Sequence, residues 1–244
     1  PRLMLEHASA RPAAPAPRVK EFGTWQTTTW AQLAQLVRDL SCGLAAAGLK
    51  RGQHVIVIGE NRPRLYASMI AAQALGAVPV PLYQDAAAGE FEFPIVNAEV
   101  AFAVVEDQEQ VDKLLELRTR CPRLAHIWYD DARGLRNYSE PGLHSIDALL
   151  DAGRAYQREH SGFFDTEVAK GSAHDVAAMF FTSGTTGTPK GVVHTHFTLL
   201  DRARAGADFD RLSASEEVLA YMPPAWIGQN IFSYAQWLVC GYVV

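Results

Sequence analysis

Short apolar runs alternate with amphipathic stretches along most of the chain. The runs are rich in β-branched residues, as in His54–Gly59 (HVIVIG), which is typical of strands buried on both faces of a parallel sheet. On this basis strands are predicted at 54–59, 78–82, 101–105, 126–129 and 176–181, and helices at 29–47, 63–75, 108–117 and 146–156. Because strands that alternate with helices form βαβ units, we expect an α/β fold with mainly parallel sheets flanked by helices.

Several helix ends are also indicated by the sequence. Thr29, followed three residues later by Gln32, predicts a capping box, and Gly48 is expected to end the same helix. Asn61 is predicted to cap the next helix, with Pro63 in its first turn.

Other segments show neither the apolar pattern of a strand nor that of a helix. Residues 130–141 and 161–174 are polar and contain glycine, so we expect surface loops, and residues 1–19, rich in Ala, Pro and Arg, are expected to be extended or poorly ordered. The last residues, 238–244 (LVCGYVV), predict a strand that continues past Val244. Since the chain also does not begin with Met, we expect it to be part of a longer protein.

Composition adds mainly exclusions. Of the 244 residues, 48% are apolar and 20% charged, as in ordinary globular proteins, and the net charge of -5 with scattered Lys and Arg argues against nucleic acid as a partner. No run of about 20 apolar residues occurs, so no transmembrane helix is expected, while peripheral contact with a membrane stays open.

The three cysteines, Cys42, Cys121 and Cys240, are widely spaced and form no CxxC pair. We therefore predict neither a disulfide framework nor a zinc site, but small core residues in a cytoplasmic protein.

The most informative stretch is Phe181–Gly191 (FTSGTTGTPKG), which follows a predicted strand. Its glycines allow close backbone approach to a ligand, and successive N–H groups in such a loop form a concave anion site. Its hydroxyl groups add hydrogen-bond donors, and Lys190 adds a compact positive charge suited to phosphate oxygens. Because ligands usually sit at the carboxyl ends of strands in open α/β sheets, the stretch predicts a phosphate-binding loop there.

Two other interpretations fit less well. A flexible linker would not have a buried strand before it and a second apolar run, Val192-Val193, after it. A Walker A loop requires Gly-Lys-Ser/Thr and then a helix, whereas here Thr188-Pro189 separate Gly187 from Lys190 and a β-type run follows.

The stretch resembles the signature loop of the adenylate-forming (AMP-binding) superfamily, which includes acyl-CoA synthetases, luciferases and the adenylation domains of peptide synthetases. Residues 182–187 and 189–191 match that signature. Weaker similarity to bacterial long-chain fatty acyl-CoA synthetases extends over residues 22–30, 58–63, 74–78 and 105–114.

This resemblance implies that residues 1–244 form the amino-terminal part of an acyl-adenylate-forming large domain. Such enzymes use ATP and Mg²⁺ to convert a carboxylic acid to an acyl-adenylate, and then transfer the acyl group to coenzyme A. The resemblance assigns the binding of the ATP phosphates to Thr182, Ser183, Gly184, Thr185, Thr186, Gly187 and Lys190. The expected acid is a long-chain fatty acid; an aryl or medium-chain acid, or a non-catalytic nucleotide-binding module of the same fold, are the alternatives.

Two further groups of residues follow the loop. His194 and His196 would share a face of a strand, but no Cys or acidic residue lies near them in the sequence, so a structural role is favoured over metal binding. The resemblance implies that Thr195 caps the next helix. The stretch 221–228 (YMPPAWIG) matches the next landmark of the superfamily, where many members have His at the position of Trp226. Trp226 is then either a gate to the acyl pocket or a core aromatic, with Gln229 and Asn230 as polar neighbours.

The superfamily's adenine, ribose and Mg²⁺ segments and its catalytic Lys, which lies in a mobile carboxyl-terminal domain, would all lie beyond Val244. We therefore expect the 244-residue chain by itself to be inactive and to contain no metal site.

Overall fold

The computed structural model describes residues 1–182 and 189–244. The helices are α1 (Arg2–Ala10), α2 (Trp30–Ala46), α3 (Pro63–Ala74), α4 (Ala88–Asn97), α5 (Gln108–Glu116), α6 (Ile146–Glu159), α7 (Phe163–Lys170), α8 (His196–Asp210), α9 (Ile227–Gln229) and α10 (Gln236–Cys240), with a π-helical turn at Asn230–Ala235 between the last two. The strands are β1 (Pro15–Glu21), β2 (Thr24–Thr29), β3 (His54–Ile58), β4 (Val78–Leu82), β5 (Phe102–Val105), β6 (His126–Tyr129), β7 (Leu143–Ser145), β8 (Val176–Thr182) and β9 (Lys190–Thr195).

A five-stranded parallel sheet in the order β4-β3-β5-β6-β7 forms the centre of the molecule. Successive residues of β3 point to opposite faces: Val55 and Val57 pack with residues of α2 and α3, while Ile56 and Ile58 pack with residues of α4 and α5. Both faces are therefore covered by helices, and the predicted α/β fold with a mainly parallel sheet is confirmed.

The ends of α2 follow the prediction. The Gln32 N–H donates to Thr29 Oγ1, and the Thr29 N–H donates to Gln32 Oε1, which completes the capping box. Gly48 has a φ of +93°, a backbone conformation that favours glycine just after a helix.

The prediction that Asn61 caps α3 is wrong. The N-cap residue is Arg62, which makes no side-chain cap, and Pro63 occupies the first turn as expected. The Asn61 side chain points instead towards the segment around Met222, because a distant backbone carbonyl there accepts a hydrogen bond from its amide.

Three segments expected to lack regular structure, or to form a strand, differ from the prediction. Of residues 1–19, expected to be extended or poorly ordered, residues 2–10 form α1, and residues 15–19 are extended as the start of β1. The stretch 161–174 contains α7, which buries Phe164 and Val168 against the core. Residues 238–240 close α10 rather than a strand, and only Val243 forms a β-bridge, with Glu217.

Helix α4 was not predicted because Gly89 and Pro94 interrupt its helical pattern. Its apolar face is formed by Phe91 and Ile95, four residues apart, and both are buried. Glu90 supports its first turn by accepting a hydrogen bond from the Ala87 N–H at 3.1 Å.

Strands β8 and β9 form a separate antiparallel hairpin, which lies beside β4 without joining its ladder. The buried β8 residues Ala178 and Phe180 pack with Leu199 of α8, while Met179 and Phe181 contact the core on the α4 side of the parallel sheet. The hairpin is thus anchored on both faces of β8. At its loop end, Thr182 and Lys190 are exposed.

Candidate functional site

The described residues of the predicted phosphate loop lie where β8 ends and β9 begins, at the loop end of the hairpin. Thr182 and Lys190 are directly paired across the hairpin, and both are exposed. The loop between them therefore begins and ends at one point, which is the geometry that a loop wrapping a ligand requires. Ser183, Gly184, Thr185, Thr186 and Gly187 lie outside the described residues, so the assignment of ATP phosphates to these residues, Thr182 and Lys190 stays a prediction.

The charge of this region favours an anion. The sequence contains no Asp or Glu between Asp175 and Asp201, while Lys190 lies at the mouth of the hairpin. A phosphate group placed there would meet a positive charge and hydroxyl groups without a competing carboxylate from the same segment.

The other end of the hairpin is structural. Thr195 Oγ1 accepts a hydrogen bond from the Thr198 N–H at 3.1 Å and so caps α8, as predicted. His196 begins α8, and burial lowers its pKa to about 4. His194 lies on β9 with its ring 5.8 Å from that of Phe180. Neither histidine joins a group of three metal-ligating side chains within residues 1–182 and 189–244.

The parallel sheet offers a second place where a ligand could bind, but a side chain fills it. The strand order reverses between β3 and β5, and in open α/β sheets the crevice at such a point commonly holds the ligand. Here Glu106, just after β5, accepts hydrogen bonds from the Glu60 N–H and from Arg62 Nε, both at 2.6 Å. Gly59 has a φ of +153° and lies so close to Glu106 that a Cβ would be 2.6 Å from it. The hairpin, rather than this crevice, is therefore the candidate ligand site.

Trp226 lies on the surface segment that precedes α9. Its exposed fraction is 56%, so the interpretation of Trp226 as a core aromatic is wrong, and its role as a gate stays a prediction. Pro224, two residues earlier, is buried and anchors the segment.

The chain matches the profile of one known protein family over nearly its whole length. The profile of the family described as AMP-binding enzyme matches residues 5–244. The chain belongs to this family.

The curated relatives that the chain matches include long-chain-fatty-acid–CoA ligases. One from Bos taurus is 25% identical over 218 residues, which cover 87% of the chain and 29% of the relative. One from Mycobacterium bovis is 25% identical over 215 residues, which cover 87% of the chain and 34% of the relative. The chain thus spans about a third of the length of the curated relatives that it matches.

Solved structures share the fold of the chain. An anthranilate CoA ligase in complex with anthranoyl-AMP has a TM-score of 0.83 at 20% identity, covering 99% of the chain and 44% of that structure. An acetoacetyl-CoA synthetase from Streptomyces lividans has a TM-score of 0.79 at 21% identity, covering 100% of the chain and 37% of that structure.

Gln229 lies inside the protein. Its exposed fraction is 1%, its Nε2 donates to the Tyr66 hydroxyl oxygen at 2.6 Å, and its Oε1 accepts from the Met222 N–H at 3.2 Å. Both polar groups of Gln229 are therefore used within the protein, and its part in an acyl pocket stays a prediction. Asn230 is also buried, and its amide donates to the carbonyls of Pro224 and Trp226.

Sequence reasoning missed Asn61 and Tyr66 as residues of this region. Both contact the Trp226 segment across more than 150 positions of sequence, and both line a cavity of about 320 Å³ whose wall also contains Trp25 and Ala220. No local pattern predicts such long-range contacts, since Tyr66 fits the helical spacing of α3 whether or not its hydroxyl has a partner.

None of the helices in the described part of the chain is long and apolar enough to cross a membrane. Cys42 and Cys121 are buried as predicted, and Cys240 is half-buried.

Proposed function

We propose that the chain is the amino-terminal part of an ATP-dependent acid–CoA ligase whose substrate is a long-chain fatty acid. In the first step an oxygen of the carboxylate attacks the α-phosphorus of ATP, and pyrophosphate leaves. In the second step the sulfur of coenzyme A attacks the acyl carbon, and AMP leaves. The family supports the ligase chemistry, and the names of the curated relatives support the long-chain acid.

The observation that carries the proposal is the pairing of Thr182 with Lys190 at the mouth of the hairpin. ATP would lie with its β- and γ-phosphates in the loop that joins these residues, together with the backbone and hydroxyl groups of 183–187. Negative charge grows on the leaving pyrophosphate during the first step, so a fixed ammonium group at Lys190 lowers the barrier.

Magnesium would bind mainly to the phosphates in this site. The hairpin segment offers hydroxyl oxygens but no carboxylate between Asp175 and Asp201, so a carboxylate ligand for Mg²⁺ must come from another part of the protein. When bound, the ion would share the neutralisation of pyrophosphate with Lys190. Trp226, exposed on its segment, would border the acid.

Activity assays of the full-length protein with several carboxylic acids test the proposal. Purified protein is incubated with ATP, Mg²⁺, coenzyme A and either acetate, benzoate or palmitate, and AMP, pyrophosphate and acyl-CoA are measured. We expect palmitoyl-CoA to form with the highest kcat/KM. Benzoyl-CoA or acetyl-CoA as the preferred product would replace the long-chain assignment, and ATP binding without any product would indicate a non-catalytic nucleotide-binding module.

A second experiment tests whether the 244-residue chain suffices for turnover. We propose that it does not, because the adenine, ribose and catalytic-lysine segments of the superfamily are expected beyond Val244. The chain alone is then expected to release no pyrophosphate from ATP with palmitate and coenzyme A. Measurable release that depends on both substrates would overturn this expectation.

A further inference from the structure

The backbone of Met222 is held by side chains on both of its polar groups. Asn61 Nδ2 donates to the Met222 carbonyl at 2.9 Å, and the Met222 N–H donates to Gln229 Oε1 at 3.2 Å. Gln229 Nε2 donates to the Tyr66 hydroxyl oxygen at 2.6 Å, and this hydroxyl donates to Asn61 Oδ1 at 2.7 Å. The four bonds close a circuit, which we call the Tyr66 ring: Asn61, Tyr66, Gln229 and the backbone of Met222.

Each member of the Tyr66 ring donates one hydrogen bond and accepts one within it. Tyr66 is 4% exposed, and burial raises the pKa of its phenol, so the hydroxyl stays protonated and can donate to Asn61. Removal of this hydroxyl would leave Asn61 Oδ1 and Gln229 Nε2 each without a partner in the ring. Since buried polar groups without partners are costly, the ring fixes Met222 in one position.

A second clamp holds the other end of the same segment. Asn230 Nδ2 donates to the Pro224 carbonyl at 2.6 Å and to the Trp226 carbonyl at 2.9 Å. The carbonyls of Met222, Pro224 and Trp226 are thus all held by side-chain amides.

The π-helical turn explains why two side chains of this region reach α3 together. Gln229, which precedes the π-helical turn, and Tyr234 within it are five residues apart, the spacing of the hydrogen bonds in a π-helix, and they contact Tyr66 and Gln73 of α3 respectively. Tyr66 and Gln73 are seven residues apart and so share one face of α3. The rings of Tyr66 and Tyr234 also meet edge to face, with centroids 5.4 Å apart.

Trp226 stands out against this rigid support. More than half of its surface is exposed, although the backbone on either side of it is clamped by buried groups. An exposed aromatic side chain on a fixed backbone is prepared for contact with a ligand, because little conformational entropy is lost when the ligand binds.

We propose that the Tyr66 ring positions the segment 222–226 for the carboxylic acid, with Tyr66 as a positioning residue that acts through Met222 on Trp226. This inference rests on the proposed ligase function. The effect should fall on the acid rather than on ATP, because no member of the ring lies on β8 or β9. By contrast, Tyr234 donates to Gln73, whose amide donates to the Ala177 carbonyl of β8.

The test compares Tyr66→Phe with Tyr234→Phe in the protein as its gene encodes it. Each substitution removes one hydroxyl from a buried tyrosine on the same cluster, but only Tyr66→Phe opens the ring. We expect Tyr66→Phe to raise the KM for palmitate roughly tenfold, the effect of one lost buried hydrogen bond, and to leave the KM for ATP within about twofold. Tyr234→Phe is expected to leave the KM for palmitate within about twofold.

Hydrogen exchange supplies a readout that does not depend on turnover. The Met222 amide should exchange slowly in the wild type and in Tyr234→Phe, and faster in Tyr66→Phe. If Tyr66→Phe does not fold, Asn61→Asp replaces it, since aspartate can accept from Tyr66 but cannot donate to the Met222 carbonyl.

The outcomes separate the two proposals. A wild type that makes no acyl-CoA from any acid sinks the proposed function and this inference with it. An active wild type whose acid KM is unchanged in the ring variant, or whose acid and ATP KM values rise together, sinks the positioning role alone.

Discussion

The two regions proposed to meet substrate are built in opposite ways. The β8–β9 hairpin presents Thr182 and Lys190 at an exposed end. The segment 222–226 instead owes its position to buried amides and a buried phenol, and only Trp226 is exposed. Mutations at the hairpin are therefore expected to change activity without changing stability. At the Trp226 segment, the side chains that hold the backbone are expected to affect both.

Lys190→Ala gives the largest expected effect, and it falls on activity alone. Loss of the ammonium group that we propose binds pyrophosphate should lower kcat/KM by roughly 100-fold or more, about 3 kcal/mol of transition-state stabilisation. The free energy of unfolding should change by less than about 0.5 kcal/mol, as for other exposed side chains. Lys20→Ala, on the exposed β1–β2 hairpin, is the matched control and should alter neither value. Equal activity of the two variants would remove Lys190 from the site.

Gln229→Leu, beside the clamped segment, is expected to act mainly on the stability of the protein. The substitution keeps the volume but leaves the Met222 N–H and the Tyr66 hydroxyl without their partner, so the free energy of unfolding should fall by roughly 3 kcal/mol. Urea unfolding of the 244-residue chain measures this loss, with Gln35→Leu, which removes one hydrogen bond to Asp39 from an exposed position of α2, as the control. A loss no larger than that of the control would show that the ring contributes little stability.

The buried base of the hairpin makes stability depend on pH. Burial lowers the pKa of His196 from 6.5 to about 4, so between these values the unfolded chain binds a proton that the folded chain excludes. Stability is therefore expected to fall by on the order of 2 kcal/mol as the pH drops from 6.5 towards 4, and His196→Gln should remove most of this slope. Urea unfolding at pH 7.0 and about pH 4.5 tests the expectation, with His144→Gln, at an exposed position, as the control. An unchanged slope in His196→Gln would assign the acid sensitivity to other groups.

Trp226→Ala is expected to lower the stability only slightly. Because more than half of the side chain is exposed, the loss should stay below about 1 kcal/mol, whereas removal of a core aromatic costs about 3 to 5 kcal/mol. Trp237→Ala, at a fully buried position, supplies the contrast in the same urea series. Similar losses in both variants would mean that Trp226 is packed as a core residue after all.

Local patterns were sufficient to predict the strands β3 to β6, the helices α2 and α3 and the capping box at Thr29. Each of these depends on residues a few positions apart, so the sequence contains the whole signal. The helix α4 was missed because Pro94 breaks the pattern although it is tolerated where the helix packs on the sheet. The role of Asn61 was assigned wrongly because its partner, Met222, is 161 residues away.

For the candidate site, the sequence predicted the position of the phosphate loop but not its setting. The loop was expected at the carboxyl end of a strand of the mainly parallel sheet, whereas β8 belongs to an antiparallel hairpin beside that sheet. The identity of the residues was readable because glycine, hydroxyl and lysine chemistry is local. Strand pairing is not local, and neither is the filling of the sheet's own crevice by Glu106.

The most direct test of the central claim is the affinity for ATP and for AMP, measured by calorimetry on the wild type and on Lys190→Ala in the protein as its gene encodes it. If Lys190 binds the β- and γ-phosphates, the variant should bind ATP at least about tenfold more weakly, while the affinity for AMP, which lacks these phosphates, should change by less than about twofold. Equal ATP affinity in the two proteins would contradict the account, because the hairpin would then not hold the phosphates.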